Sequence, residues 1–246
     1  MTPESALLAA LLAQLGARLL GVRSLSARLV PPLPGRRFAT WAVRLWVEFA
    51  VPALAALLLL GRPEVLWDMP AEFAPAAASL DGPDARSIGP VLAGLTLGTA
   101  FNAAWSAWRV RRGKRPLQIG RALLPGHRAE LPDGAALAVS AGVAEELYFR
   151  LALPLLLTAA LGSAVAAFAA ASLLFGLVHR RQGWAGMVAT GLVGMALAAV
   201  YLRTGAWWVA VAFHALVDLN GLVLRPWLGM MVRRRATREG GKCGRG

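Results

Sequence analysis

The sequence predicts an all-α, polytopic membrane helix bundle with six or seven transmembrane helices, and three observations predict it. Of the 246 residues, 57% are hydrophobic and only 16% are charged, with a mean hydropathy of +0.56, too apolar for an ordinary water-soluble domain of this length. Apolar windows long enough to cross a bilayer recur along the chain. Basic residues stand in short blocks between those windows and flank one acidic loop.

Six windows, about 42–61, 88–109, 135–161, 163–179, 184–203 and 206–224, meet or approach the roughly 17–25 apolar residues that a span requires. An earlier run, about 5–22, is interrupted by Gln14 and Arg18, so it either spans or lies in the interface. Glu4 and the lack of a basic segment ahead of that run read as a retained helix rather than a cleaved signal.

Short loops rich in Lys and Arg stay cytoplasmic. Arg23, Arg28, Arg36 and Arg37 therefore mark one inner loop, and Arg109, Arg111, Arg112, Lys114, Arg115, Arg121 and Arg128 a second. The segment between them holds Glu64, Asp68, Glu72, Asp81 and Asp84 against Arg62 and Arg86, and belongs outside. Alternation then puts Arg180 and Arg181 inside, together with the tail that carries Arg225, Arg233, Arg234, Arg235, Arg238, Lys242 and Arg245. The isolated Arg203 is the one exception. This divides the chain into N-terminal membrane helices and loops (1–134), a catalytic helical core (135–224) and a basic cytoplasmic tail (225–246), with no repeat of 20–50 residues and no second soluble domain.

The same distribution excludes nucleic acid as the reason for the formal net charge of +13, because the cations sit in loops rather than along an amphipathic face. All but two of the 26 basic residues are arginine, Lys114 and Lys242 being the exceptions, and no function follows from that bias. A single cysteine, Cys243, rules out an intramolecular disulfide and a multi-cysteine metal site, and "CGRG" lacks the aliphatic pair of a prenylation box.

Ionisable residues inside spans are rare, costly and functional by default. Arg44 and Glu48 are spaced to pair on one helix face near a helix end, a structural arrangement outside the site. "EELYFR", residues 145–150, is different: Glu146 and Arg150 share a face, whereas Glu145 points about 100° away. One carboxylate is thus neutralised and the other is left for work as a general base, proton carrier or ligand. Phe175 and His179 lie one turn apart in the next span, as do His214 and Asp218 in the last. A glutamate with two histidines activates water directly, or binds a metal that does so; for zinc the ligands would be Glu145, His179 and His214. Asp218 can fix the His214 tautomer if that ring nitrogen donates to it. Neither "HExxH" nor "GxSxG" occurs, and the glycines of "GLTLG" (94–98) and "GMVATGLVG" (186–194) stand at helix-packing intervals.

"EELYFR", "FGLVH" and "HALVD", in that order, resemble the three-part signature of the CPBP family, which joins CAAX prenyl proteases of the Ras-converting type with Abi and bacteriocin-processing proteins. The resemblance covers about residues 135–222. It implies an intramembrane endopeptidase of a bacterial inner or plasma membrane, often described as a metalloprotease but closer in mechanism to a glutamate-dependent enzyme. Its partners would be the bilayer and a peptide or protein substrate, whether a prenylated C-terminus, a leader peptide or a membrane protein. Carried over by position, Glu145 and His179 would prepare the water, Glu146 and Arg150 would support the site, and His214 with Asp218 would stabilise the intermediate. Asp218 departs from the Asn alternative at its position, and an ionised carboxylate offers an oxyanion no donor; its expected task is to orient His214. Two other classes stay open on the residues alone: a proton-coupled transporter using Glu145, His179, His214 and Asp218 as a relay, and a non-catalytic membrane immunity or scaffold protein.

Overall fold

The structure, a computed structural model, describes residues 2–22, 25–80, 89–112 and 124–231. Arg23, Asp81, Asp84, Arg86, Lys114, Arg115, Arg121 and the tail residues Arg233, Arg234, Arg235, Arg238, Lys242, Cys243 and Arg245 lie outside the described residues. Among the described residues all regular structure is helical. The order is α1 (Pro3–Leu19), α2 (Leu25–Leu29), α3 (Arg37–Leu45), α4 (Val51–Leu59), α5 (Ala74–Ala78), α6 (Gly89–Arg111), α7 (Leu131–Glu146), α8 (Leu153–Leu161), α9 (Ala164–Val178), α10 (Trp184–Thr204) and α11 (Trp207–Leu219).

Three of these helices run on through a widened π-helical turn: α3 into α4 by Trp46–Ala50, α7 into α8 by Leu147–Ala152, and α11 onward by Asn220–Leu224. Each turn ends two residues before a proline, Pro52, Pro154 and Pro226 respectively. A helical proline donates no hydrogen bond and crowds the carbonyl one turn back, and local widening relieves both problems. The polar residues that a hydrocarbon-facing helix should avoid lie in or beside these turns: Glu48 in the first, Arg150 in the second with Glu145 and Glu146 just before it, and Asp218 just before the third.

Three helices are long and apolar enough to cross a membrane: Arg37–Leu59, Trp184–Thr204 and Trp207–Met231. They coincide with three of the six anticipated windows. The continuous helix Leu131–Leu161 is long but contains Glu145, Glu146 and Arg150, and α9 has only 15 residues. The chain is therefore an all-helical integral membrane protein with three spans of this quality among its described residues, rather than a bundle whose count follows from windows alone.

Tight reversals keep sequential helices adjacent. Gly162 and Gly205 take left-handed backbone conformations (φ 66° and 67°) that close α8 and α10, and Ser163 caps α9 by accepting from the Ala166 amide at 3.3 Å. Close contact then comes from small residues. A Cβ on Gly142 of α7 would stand 3.0 Å from the Val211 carbonyl oxygen of α11, and one on Gly176 of α9 would stand 2.8 Å from the Met187 carbonyl oxygen of α10. Gly176→Ala is expected to force α9 from α10 and cost about 1–3 kcal/mol, seen as a lowered Tm in detergent.

The N-terminal helices pack onto this core. Tyr148 donates to the Leu11 carbonyl at 2.8 Å, and Leu11 and Leu15 of α1 are buried. Arg36 and Arg37 bond Asp133 and Glu130, fastening the start of α3 to the start of α7. The Arg36 hydrogen bond holds the Asp133 carboxyl below its ordinary value; this contribution is present above the unfolded-state value and is lost as pH falls through the lowered one. The Arg44–Glu48 pairing expected from spacing does not form. Arg44 donates to the Val30 carbonyl at 2.8 and 3.1 Å, and Glu48, inside a widened turn, pairs with Arg18 of α1 at 2.7 Å.

Candidate active site

Four helical segments supply the candidate residues. Glu145 and Glu146 end α7, Arg150 follows in the widened turn, His179 caps α9, and His214 and Asp218 lie on α11. The close approach at Gly142, one turn before the glutamates, brings α7 against the part of α11 that bears His214.

Glu146 joins two of the other candidate residues. Its Oε2 is 2.9 Å from Arg150 Nε, and its Oε1 accepts from His214 Nδ1 at 2.7 Å. The expectation that Asp218 orients His214 is therefore corrected: Asp218 Oδ2 is 3.7 Å from the other ring nitrogen, Nε2, beyond hydrogen-bond distance. The tight α7–α11 contact delivers Glu146 to Nδ1, whereas the aspartate one turn along α11 faces the opposite edge of the ring.

Arg150 is 1% exposed. Besides Glu146, it reaches the Gly194 carbonyl of α10 at 3.3 Å and lies 4.8 Å from the Phe175 ring centroid. Phe175 in turn touches both imidazoles, at 4.8 Å from His179 and 5.7 Å from His214. A Cβ on Gly194 would come within 2.9 Å of the Phe175 ring. The one-turn spacing of Phe175 and His179 was legible in the sequence, but the reach of Phe175 to His214 and of Arg150 to the Gly194 carbonyl was not, since no local pattern announces contacts between separate helices.

Glu145 Oε2 is buried with no hydrogen-bond partner among the described residues. It lies 3.8 Å from His179 Nε2 and 3.8 Å from His214 Nε2. Both separations exceed a direct hydrogen bond and suit groups that share one water. His179 Nδ1 is engaged by the Phe175 carbonyl at 2.7 Å; a carbonyl only accepts, so Nδ1 carries the hydrogen and a neutral ring leaves Nε2 as an acceptor. Two acceptors, the Glu145 oxygen and His179 Nε2, thus face each other across a gap that calls for a donor of two hydrogens. The site opens on this side: the side chains of His179 and Asp218 are 21% and 34% exposed, against 6% or less for Glu145, Glu146 and His214.

Zinc does not fit. Among the described residues no group of three His, Cys, Asp or Glu side chains is arranged to hold a metal ion. The two 3.8 Å separations at Glu145 also exceed the roughly 3.3 Å between ligands that bond lengths of 2.0–2.1 Å impose on tetrahedral zinc. The expectation of a Glu145, His179 and His214 ligand set is not carried further.

Residues 128–220 match the family model described as type II CAAX prenyl endopeptidase Rce1-like. That segment is Rce1-like. All six candidate residues fall within it, so the family match and the polar cluster coincide in the chain. No curated protein and no solved structure gives a match to the chain. A cavity of about 390 Å³ is lined by Leu54, Leu66, Trp67, Leu147, Trp207 and Trp208. Leu147 directly follows Glu146, so this apolar space adjoins the turn that carries the charged groups.

Proposed function

We propose that the protein is an intramembrane endopeptidase in which Glu145 and His179 activate a water that attacks a peptide carbonyl. The observation that carries this reading is the pair of facing acceptors, Glu145 Oε2 and His179 Nε2, 3.8 Å apart with no protein donor on the carboxylate oxygen. A water between them donates one hydrogen to each and is left with lone pairs free to attack. Glu145 or His179 takes the proton as the carbon–oxygen bond forms, and the same proton is then returned to the leaving amine.

His214 supports the developing oxyanion. Its Nδ1–H is committed to Glu146, so donation from Nε2 requires the imidazolium, whose positive charge the Glu146 and Asp218 carboxylates offset. Glu146 is thereby a positioning group for His214, and Arg150 neutralises and anchors Glu146. Asp218 contributes charge balance rather than a donor. Asp218→Asn is accordingly expected to retain peptidase activity within about tenfold of the parent, whereas His214→Ala loses roughly 10²–10³-fold by removing an oxyanion donor; kcat for a quenched-fluorescence peptide checks both.

The substrate class we infer is a membrane-associated peptide with a lipidated C-terminus of CAAX type, its apolar part received by the tryptophan-lined space beside Leu147. The catalytic core is residues 135–224, held in a bacterial inner membrane with the tail on the cytoplasmic side. Purified full-length protein in detergent, incubated with farnesylated and unmodified CAAX peptides and analysed by mass spectrometry, tests the reading. Release of the C-terminal tripeptide supports it. Intact peptides under all conditions, with pH jumps in proteoliposomes dissipated in a Glu145-dependent way, would replace it with proton transport.

A further inference from the structure

A second charge cluster lies at the first widened turn, where a buried glutamate meets a partly exposed arginine of α1. Glu48 is 6% exposed; its Oε2 meets Arg18 Nη1 at 2.7 Å and the Ser26 hydroxyl at 3.2 Å. Gln14 donates to the Glu48 carbonyl. Three polar groups, Gln14 and Arg18 of α1 and Ser26 of α2, thus converge on one residue of the first widened turn. An ion pair of this kind is costly in a membrane-spanning helix, and the proposed chemistry does not use it.

The cluster is joined to the site by rings. Arg18 sits 5.3 Å from the Phe49 centroid. Phe49 meets Phe149 at 5.6 Å, Phe149 meets Phe175 at 5.2 Å, and Phe175 touches both His179 and His214. Phe49 is 0% exposed, and Phe149 and Phe175 are each 1% exposed. The two ends of this row share a contact pattern, Arg18 with Glu48 and Phe49, Arg150 with Glu146 and Phe175, although the Arg18 side chain is 34% exposed and that of Arg150 only 1%. Close-packed rings cannot shift singly, because a gap of even a methyl group forfeits contacts that nothing replaces.

We propose that the Arg18–Glu48 pair is a positioning device for the active site, setting the placement of His179 and His214 through Phe49, Phe149 and Phe175. Glu48 and Arg18 are positioning residues, not catalytic ones, and α1 is on this account part of the enzyme's working core rather than a peripheral anchor. The proposal rests on the peptidase reading only for its kinetic consequence.

The chain has three histidines, and His127, with its side chain 68% exposed, serves as an internal reference. In full-length protein labelled with ¹⁵N-histidine, Glu48→Gln is expected to move the ring signals of His179 and His214 and leave those of His127 in place. Phe149→Leu should move the same signals, and the double variant should go little beyond the larger single change, because both act on one row of contacts. In peptide cleavage, Glu48→Gln is expected to lower kcat roughly ten- to hundredfold with KM within about twofold, the pattern of misplaced reacting groups, and Arg18→Lys to lose less than Arg18→Gln. A folded Glu48→Gln protein with unmoved His179 and His214 signals overturns the proposal. Should Glu48→Gln not fold, Phe49→Leu, which exchanges one apolar group for another, carries the same test. A parent protein that cleaves nothing overturns the peptidase reading, while the histidine signals still decide the positioning.

Discussion

Glu145→Gln is expected to lower kcat/KM for peptide hydrolysis by roughly 10²–10⁴-fold, the contribution of a positioned general base, while Tm in detergent stays near that of the parent. The amide matches the carboxylate in size, and Glu145 Oε2 has no protein hydrogen bond to lose, so packing is preserved. What changes is the proton acceptor: an amide oxygen still accepts a hydrogen bond from water but does not take its proton. The residual rate comes from His179, whose Nε2 faces the same water position at 3.8 Å from Glu145. Continuous assays of the two proteins with one quenched peptide, beside thermal unfolding of both, check the result. A variant that keeps the parental rate removes Glu145 from the mechanism.

Arg150→Met has a different signature, in which stability falls with activity. The guanidinium is buried among Glu146, the Gly194 carbonyl and the Phe175 ring. Breaking a buried pair by removing one partner leaves the other charge uncompensated, at a cost of about 3–5 kcal/mol. The double substitution Glu146→Gln with Arg150→Met removes both charges and should recover much of that stability. It should not recover activity, because Glu146 Oε1 also holds His214 Nδ1 at 2.7 Å. Thermal unfolding and kcat of the single and double variants, measured on the same preparations, separate the two effects. Equal recovery of both would show that the carboxylate matters only as a counterion.

The pairing of Glu146 with Arg150 was legible because it is local: four residues of helix place the two side chains on one face. The same rule applied to Arg44 and Glu48 failed. Spacing makes such a pair available without compelling it, and here Arg18, Ser26 and the Val30 carbonyl offered each partner a better contact. Gln14 and Arg18 looked like interruptions that weakened the first helix, yet they are the groups that receive Glu48. A usable signal for the widened turns was present in Pro52, Pro154 and Pro226, each two residues beyond such a turn.

By itself, the sequence determined that the chain is helical and membrane-embedded, where three of its apolar spans lie, and that Glu146 rather than Glu145 is placed to pair with Arg150. These are properties of composition, run length and the 3.6-residue period, all of which act over neighbouring residues. Only the tertiary structure decided that Glu146 rather than Asp218 holds His214, that Glu145 stands equally far from both imidazoles, and that Phe175 lies beneath them. Glu146 and His214 are 68 residues apart in the chain. Their meeting depends on how closely α7 and α11 approach at Gly142, a matter of steric fit between helices that no local periodicity encodes.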